Sequence, residues 1–201
     1  MRSLTKFLIF SVLLIAACNK GLTPYETIYF PITPEGGDPV GTWVPDTLNP
    51  VDVEILDEEI ISFLDSLVID TELDGEFFLS YAGVCSVYAL MTMNALAYLP
   101  GSTSPITHSI FDTIYGEGAY EVIDDVVLHL PIQSTNFQLD TLGFTARQNN
   151  LDLITLPNTF DYMGIMEIPL YFVFHLIRSE EEASNKTENV FTLYRKKEDR
   201  P

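Results

Sequence analysis

Side chains able to do acid–base, nucleophilic or metal chemistry form a short roster: His108, His129 and His175, Cys18 and Cys85, and 29 carboxylates. His129 sits in Val-Leu-His-Leu and His175 in Val-Phe-His-Leu. Alternation along a strand lets either point inward, where two facing imidazoles would bind a metal or a haem. The same contexts suit strand histidines that are exposed or hydrogen-bonded in place. Cys85 lies between Val84 and Ser86-Val87 with no base beside it in sequence, which reads as a buried structural thiol rather than a nucleophile. Asp57, Glu58 and Glu59, and Asp124 and Asp125, are runs at turns or faces. A general acid–base pair needs one carboxylate buried in a cleft, and a calcium loop needs an alternating ligand spacing that these runs lack. The chain has no His-x-x-x-His, Cys-x-x-Cys, Gly-rich phosphate loop or Gly-x-Ser-x-Gly. Neither an enzyme nor a bound cofactor is expected.

Cys18 belongs to a different chemistry, set by what precedes it. Arg2 and Lys6 are followed by an apolar run, Phe7 to Ile15, and then by Ala16-Ala17-Cys18. The run has the length of a signal-peptide core and falls short of the ~20 apolar residues a membrane-spanning helix needs. This order resembles a bacterial lipoprotein signal peptide ending in a lipobox. The resemblance implies recognition of Ile15, Ala16 and Ala17 by a signal peptidase and cleavage between Ala17 and Cys18. It also implies acylation of the Cys18 thiol and amine by fatty chains such as palmitate, so that lipid ties the protein to a membrane. Asn19 is not the aspartate that retains lipoproteins at the inner membrane in some bacteria, and by that likeness the outer membrane is the expected destination.

Loss of residues 1–17 removes Arg2 and Lys6 and leaves 184 residues carrying 8 basic and 29 acidic side chains, a net of −21. That length fits one domain with a real core. The charge excludes nucleic acid, whose binding rests on cations that neutralise phosphate. It also disfavours lying flat on an anionic membrane. With Cys18 acylated, Cys85 has no partner for an intramolecular disulfide.

Residues 18–40 hold Gly21, Pro24, Pro31, Pro34, Gly36, Gly37 and Pro39 and read as the lipidated cysteine and a tether, in which Ile28-Tyr29-Phe30 is an apolar patch able to dock. From Gly41 to Lys197 the pattern is strands and turns, with residues 198–201 as a tail. Asp74-Gly75 between two β-rich runs predicts a hairpin turn, as does Asp124-Asp125 between Ala119–Ile123 and Val126–Leu130. Strands are also expected at Phe137 to Thr145, Leu151–Ile154, Leu170–Ile177 and, after a polar loop, Val190–Tyr194. Leu56, Ile60, Phe63, Leu64 and Leu67 form a helical stripe that runs into strand-forming residues. Val84–Leu99 favours helix by its Ala, Leu and Met content, while period two sets Tyr88, Leu90, Thr92, Asn94, Leu96 and Tyr98 on one face. Eight to ten strands joined by tight turns predict an all-β fold, an antiparallel meander closed into a barrel that hides its edges.

Gly41-Thr42-Trp43, holding the only tryptophan, opens this region. Gly-x-Trp at the first strand of a meander barrel resembles the lipocalin signature, and its spacing to Asp74-Gly75-Glu76-Phe77 is similar to that of small bacterial lipocalin-like lipoproteins. The resemblance implies that Trp43 plugs the closed end of the barrel under a basic side chain of the last strand, a cation–π contact. Arg178 and Arg195 are both candidates. A core aromatic in another β-barrel or sandwich fits Trp43 as well. The resemblance also implies one of two uses: a cup that binds a small apolar ligand, or a filled barrel that acts as a structural or interaction module in a cell-envelope complex. Asp46-Thr47-Leu48, Asp65-Ser66-Leu67, Asp112-Thr113-Ile114 and Asp140-Thr141-Leu142 resemble the O-glycosylation site that some Gram-negative bacteria use on exported proteins.

Overall fold

A computed structural model describes residues 28–62 and 64–179. Among them lie eleven β-strands: β1 (Gly41–Pro45), β2 (Val51–Ile55), β3 (Ser66–Leu79), β4 (Val84–Tyr98), β5 (Ile106–Ala119), β6 (Glu121–Ile123), β7 (Val127–His129), β8 (Thr141–Ala146), β9 (Asn150–Thr155), β10 (Asn158–Tyr162) and β11 (Met166–Arg178). All strand pairs are antiparallel, and they form one strongly curled, half-barrel sheet with the order β5-β4-β3-β1-β11-β9-β8-β7-β6; β2 and β10 also pair with β11. The fold is therefore the expected all-β antiparallel barrel type, and it is compatible with a lipocalin-like domain.

Why the sheet must curl follows from its connectivity. The strands at the two ends of the path, β5 and β6, are consecutive in the chain and separated only by Tyr120. A flat sheet would hold them many strand widths apart, each ~4.8 Å. The path therefore bends back on itself, and Tyr115 and Gln133 join the two sides through one isolated bridge. Gly116 makes that approach feasible, since a Cβ there would lie 2.1 Å from the Pro131 carbonyl oxygen.

β4 resolves the ambiguity of Val84–Leu99 in favour of strand. Cys85, Val87, Ala89, Met91, Met93, Ala95 and Ala97 are buried and alternate with residues that face outward. Pairing with β3 on one side and β5 on the other satisfies its backbone and overrides the helix propensity of Ala and Met. Small residues on the inner face suit the narrow interior of a barrel.

Asp74-Gly75 is not a turn. β3 runs through it, and Gly75, with φ of +149°, lets the backbone of β4 approach so closely that a Cβ would lie 2.3 Å from the Tyr88 carbonyl oxygen. The turn comes later, at Ser80–Gly83, where Ser80 N–H donates to Val84 O at 2.9 Å. Asp124-Asp125 does turn the chain between β6 and β7, with both residues at positive φ, 51° and 61°. The stripe from Leu56 shortens to a 3₁₀ turn, Glu58–Ile61, capped by Asp57, before β3 begins.

Residues 30–37, expected in the tether, pack on the barrel. Phe30 is buried, and Gly36 donates to Phe144 O at 2.9 Å and accepts from Ala146 N–H at 2.7 Å. The expected strand Val190–Tyr194 and the segments 1–27 and 180–201 lie outside the described residues.

Candidate functional site

The end of the barrel at which β1 meets β11 holds the Gly-x-Trp residues. Gly41 opens β1 opposite Leu79, and Trp43 pairs in register with Phe77 on one side and Arg178 on the other. Trp43 is fully buried, and its indole N–H donates to Pro39 O at 2.8 Å. The Arg178 guanidinium carbon lies 4.4 Å from the centre of the Trp43 rings, within cation–π range. Arg178 also donates to Gln148 O and Val40 O, each at 3.3 Å. Of the two candidate cations, Arg178 therefore stands over the tryptophan, while Arg195 lies outside the described residues, as do Ala17 and Cys18.

Side chains that would line a cup pack against one another instead. One cluster joins Phe77, Met91 and Met93 on one wall to Phe144, Leu153, Phe160, Phe172 and Phe174 on the other. Phe137 meets Phe172 edge-on at 4.8 Å between ring centres, and Phe172 stacks on Phe174 at 6.0 Å. Buried residues of β3 and β4 thus belong to the same hydrophobic cluster as those of β8 to β11.

The three histidines do not converge. His108 stacks on Phe160 at 5.7 Å, and His129 is half-buried in β7. His175 Nδ1 lies 2.8 Å from Asp152 Oδ1 and its Nε2 lies 3.0 Å from Asp52 Oδ2, tying β9, β11 and β2 together. Both ring nitrogens face carboxylate oxygens, an arrangement in which both donate when the ring is protonated. Burial opposes that charge, but the hydrogen bonds and charges of Asp152 and Asp52 outweigh it and raise the His175 pKa. Asp52 is held below the usual carboxylate range, first by the Asn49 amide and then by His175. Among the described residues no three His, Cys, Asp or Glu side chains gather as metal ligands. Cys85 is fully buried, and desolvation pushes its thiol pKa up, away from the reactive thiolate.

One buried carboxylate escaped sequence reasoning. Asp112, 3% exposed, accepts from Ser134 Oγ at 2.5 Å and from the Thr135 and Asn136 amides at 2.8 and 3.3 Å. It pins the loop after β7 to β5 and is fully occupied in doing so. Within the four Asp-Ser/Thr-apolar sites, the hydroxyl residues Thr47 and Ser66 are exposed, whereas Thr113 and Thr141 are half-buried.

The outside of β3, β4 and β5 is the part of the surface left without a structural explanation. Tyr88 is 60% and Phe111 75% exposed, with Leu90 and Tyr115 beside them. Beside this apolar band, Asp70, Glu72, Asp74 and Glu76 stand in one outward row along β3. Register sets Glu76, Tyr88 and Tyr115 across the three strands, and likewise Glu72, Thr92 and Phe111. Residues 66–119 contain six carboxylates and no lysine or arginine. Next to this face, a groove of about 440 Å³ opens between β5 and β10, lined by His108–Phe111, Asn136 and Thr159–Asp161. The outward set Tyr88, Leu90, Thr92 and Asn94 was legible as a period-two face; that it faces solvent follows from the small residues of the opposite face claiming the interior. Comparison with protein-family models, curated proteins and solved structures finds no match to this chain.

Proposed function

We propose that this chain is a lipid-anchored protein of the bacterial cell envelope whose lipocalin-like barrel is a filled interaction module rather than a ligand carrier. One observation favours the first of these over the second: the buried aromatic and Met side chains of β3, β4 and β8 to β11, which would line a cup, belong to one contiguous hydrophobic cluster. A ligand the size of a fatty acid needs a cavity of ~300–1,000 Å³, and opening one here would break contacts at core packing density. The likeness to lipocalins rests on Gly41, Trp43 and the Arg178 guanidinium over the indole. Anchoring rests on Ile15-Ala16-Ala17-Cys18 behind Arg2 and Lys6, and Asn19 favours the outer membrane. Strong acidity holds the domain off anionic headgroups and leaves it to meet proteins.

Two measurements test this reading. Native mass spectrometry of protein purified from its own host should show the acylated chain with nothing bound; a lipid or pigment at near-stoichiometric amount would establish the carrier instead. Cys18→Ala should remain unprocessed or leave the membrane fraction. A Cys18→Ala protein that fractionates and migrates like wild type would remove the anchor.

A further inference from the structure

Of the two strands that end the sheet path, β6 has three residues and β5 has fourteen. Proteins usually blunt a long edge with lysine, proline or a bulge, because its unpaired backbone groups recruit other strands. β5 reads Ile-Thr-His-Ser-Ile-Phe-Asp-Thr-Ile-Tyr-Gly-Glu-Gly-Ala, with no Lys, Arg or Pro. Its second half is covered, since Tyr115 exchanges both backbone hydrogen bonds with Gln133, at 3.0 and 2.8 Å. Tyr115 therefore aims its N–H and C=O away from β4. Residues two apart in an antiparallel ladder aim the same way, and the β4–β5 register continues unbroken to Ala97–Ile106. Phe111, Ser109 and Thr107 thus aim their backbone groups at the same open side. Phe111 O accepts from the Asn136 side chain at 3.3 Å. Among the described residues no strand meets Thr107 and Ser109.

What they face is the groove between β5 and β10. Among the described residues β10 pairs only with β11, so the groove is flanked by two strand edges. The stacked rings of His108 and Phe160 and the bond from Tyr162 OH to Ile106 O, 2.8 Å, hold the two banks together. Asp161 stands exposed on the far bank, using one oxygen to accept from Gly164 N–H. On the near side, the outward rows that end at Phe111 and Ser109 begin on β3 at Glu72 and Asp70. With no lysine or arginine in residues 66–119, these surroundings repel a second copy of the same face and attract positive charge.

We propose that the β5 edge is a docking site for an extended cationic segment of a partner protein, which adds as a strand to Thr107–Phe111 within the groove facing β10. The main-chain groups of Thr107 and Ser109 supply four hydrogen bonds, as in other strand additions. Basic side chains of the added strand meet Asp161, the β3 carboxylates two strands further in add only to the negative field, and its apolar side chains cover Phe111. This rests on the interaction reading above and names the site and the chemistry of its partner.

The test uses the full chain in detergent, with a synthetic peptide alternating Lys and Val as probe. In the free protein the Thr107 and Ser109 amides should exchange with solvent rapidly, and the peptide should slow them by about tenfold or more. A peptide alternating Glu and Val should leave them unchanged. Thr107→Pro removes an outward N–H that β4 does not use, so it should weaken peptide binding about tenfold with the circular dichroism of the wild type. Should that variant unfold, N-methylation of alternate peptide amides gives the same loss on the wild-type protein. Equal binding by the N-methylated peptide, or no change at Thr107 and Ser109 on adding the Lys-Val peptide, would overturn the edge site. So would amides already protected in the peptide-free protein, whether by a second copy or by the chain's own residues beyond Ser179. A barrel that purifies free of ligand alongside any of these results leaves the interaction reading intact and removes the edge site alone. A co-purified ligand removes the interaction reading itself.

Discussion

His175 shows how one residue couples strand pairing to proton concentration. It needs its proton to serve both Asp152 and Asp52, and those carboxylates raise its pKa. A raised pKa stabilises the fold fully below the unfolded value of about 6.5, and that stabilisation is lost as pH rises through the folded value. Asp52, whose pKa is lowered, contributes above its unfolded value of about 3.9 and loses that contribution as pH falls through the folded one. The triad is therefore strongest in the mildly acidic range between them. His175→Gln should cost on the order of 1 kcal/mol there, these groups being partly screened by solvent. Thermal melts of both proteins across pH should show that difference shrinking at alkaline pH. A gap that stays constant, or widens as pH rises, would show that the imidazolium is not what the carboxylates hold. Nothing in Val-Phe-His-Leu betrays this partnership, since Asp152 and Asp52 reach it only through the pairing of three strands.

At the scale of single strands, Gly75 decides how closely β3 and β4 approach. Its φ of +149° and the 2.3 Å between a would-be Cβ and Tyr88 O make any side chain there a clash with backbone. Gly75→Ala should cost about 1–3 kcal/mol, seen as a lower urea midpoint with an unchanged slope; an unaltered midpoint would mean the two strands part freely. The same dipeptide shows where local pattern is ambiguous. Asp-Gly suits a hairpin turn and also a tight point within a long strand, and the choice depends on whether β4 has a partner at that level. Asp124-Asp125 was legible because the strands on either side are too short for anything but a turn. Gly41-Thr42-Trp43 was legible by its residue types, whereas which of Arg178 and Arg195 stands over Trp43 was not, because it depends on the register of β11 against β1. The β5 edge was not: its open side is defined by which strands fail to meet it, and no single segment encodes that.

Over the whole molecule, charge is lopsided. The described residues carry 22 carboxylates and two Lys or Arg, Arg147 and Arg178. Arg147 lies 3.4 Å from Glu35 in an exposed pair, and Arg178 is committed to Trp43 and neighbouring carbonyls. Self-repulsion therefore opposes the compact state. Raising sodium chloride from about 10 to 150 mM, which shortens the Debye length from ~30 to ~8 Å, should raise the melting temperature. A melting temperature that falls with salt would mean that attractive pairs dominate. β11 adds a constraint of another kind. It pairs with β1, β2, β9 and β10, and it is the last described strand. β1 lies between β3 and β11, so it waits for a neighbour more than a hundred residues further along the chain. During synthesis, every earlier strand that needs β11 emerges before it, with its apolar face uncovered. These pairings consequently form only once β11 is available, in a slow step dominated by sequence-distant contacts, and until then the emerging chain depends on whatever shields it from its neighbours.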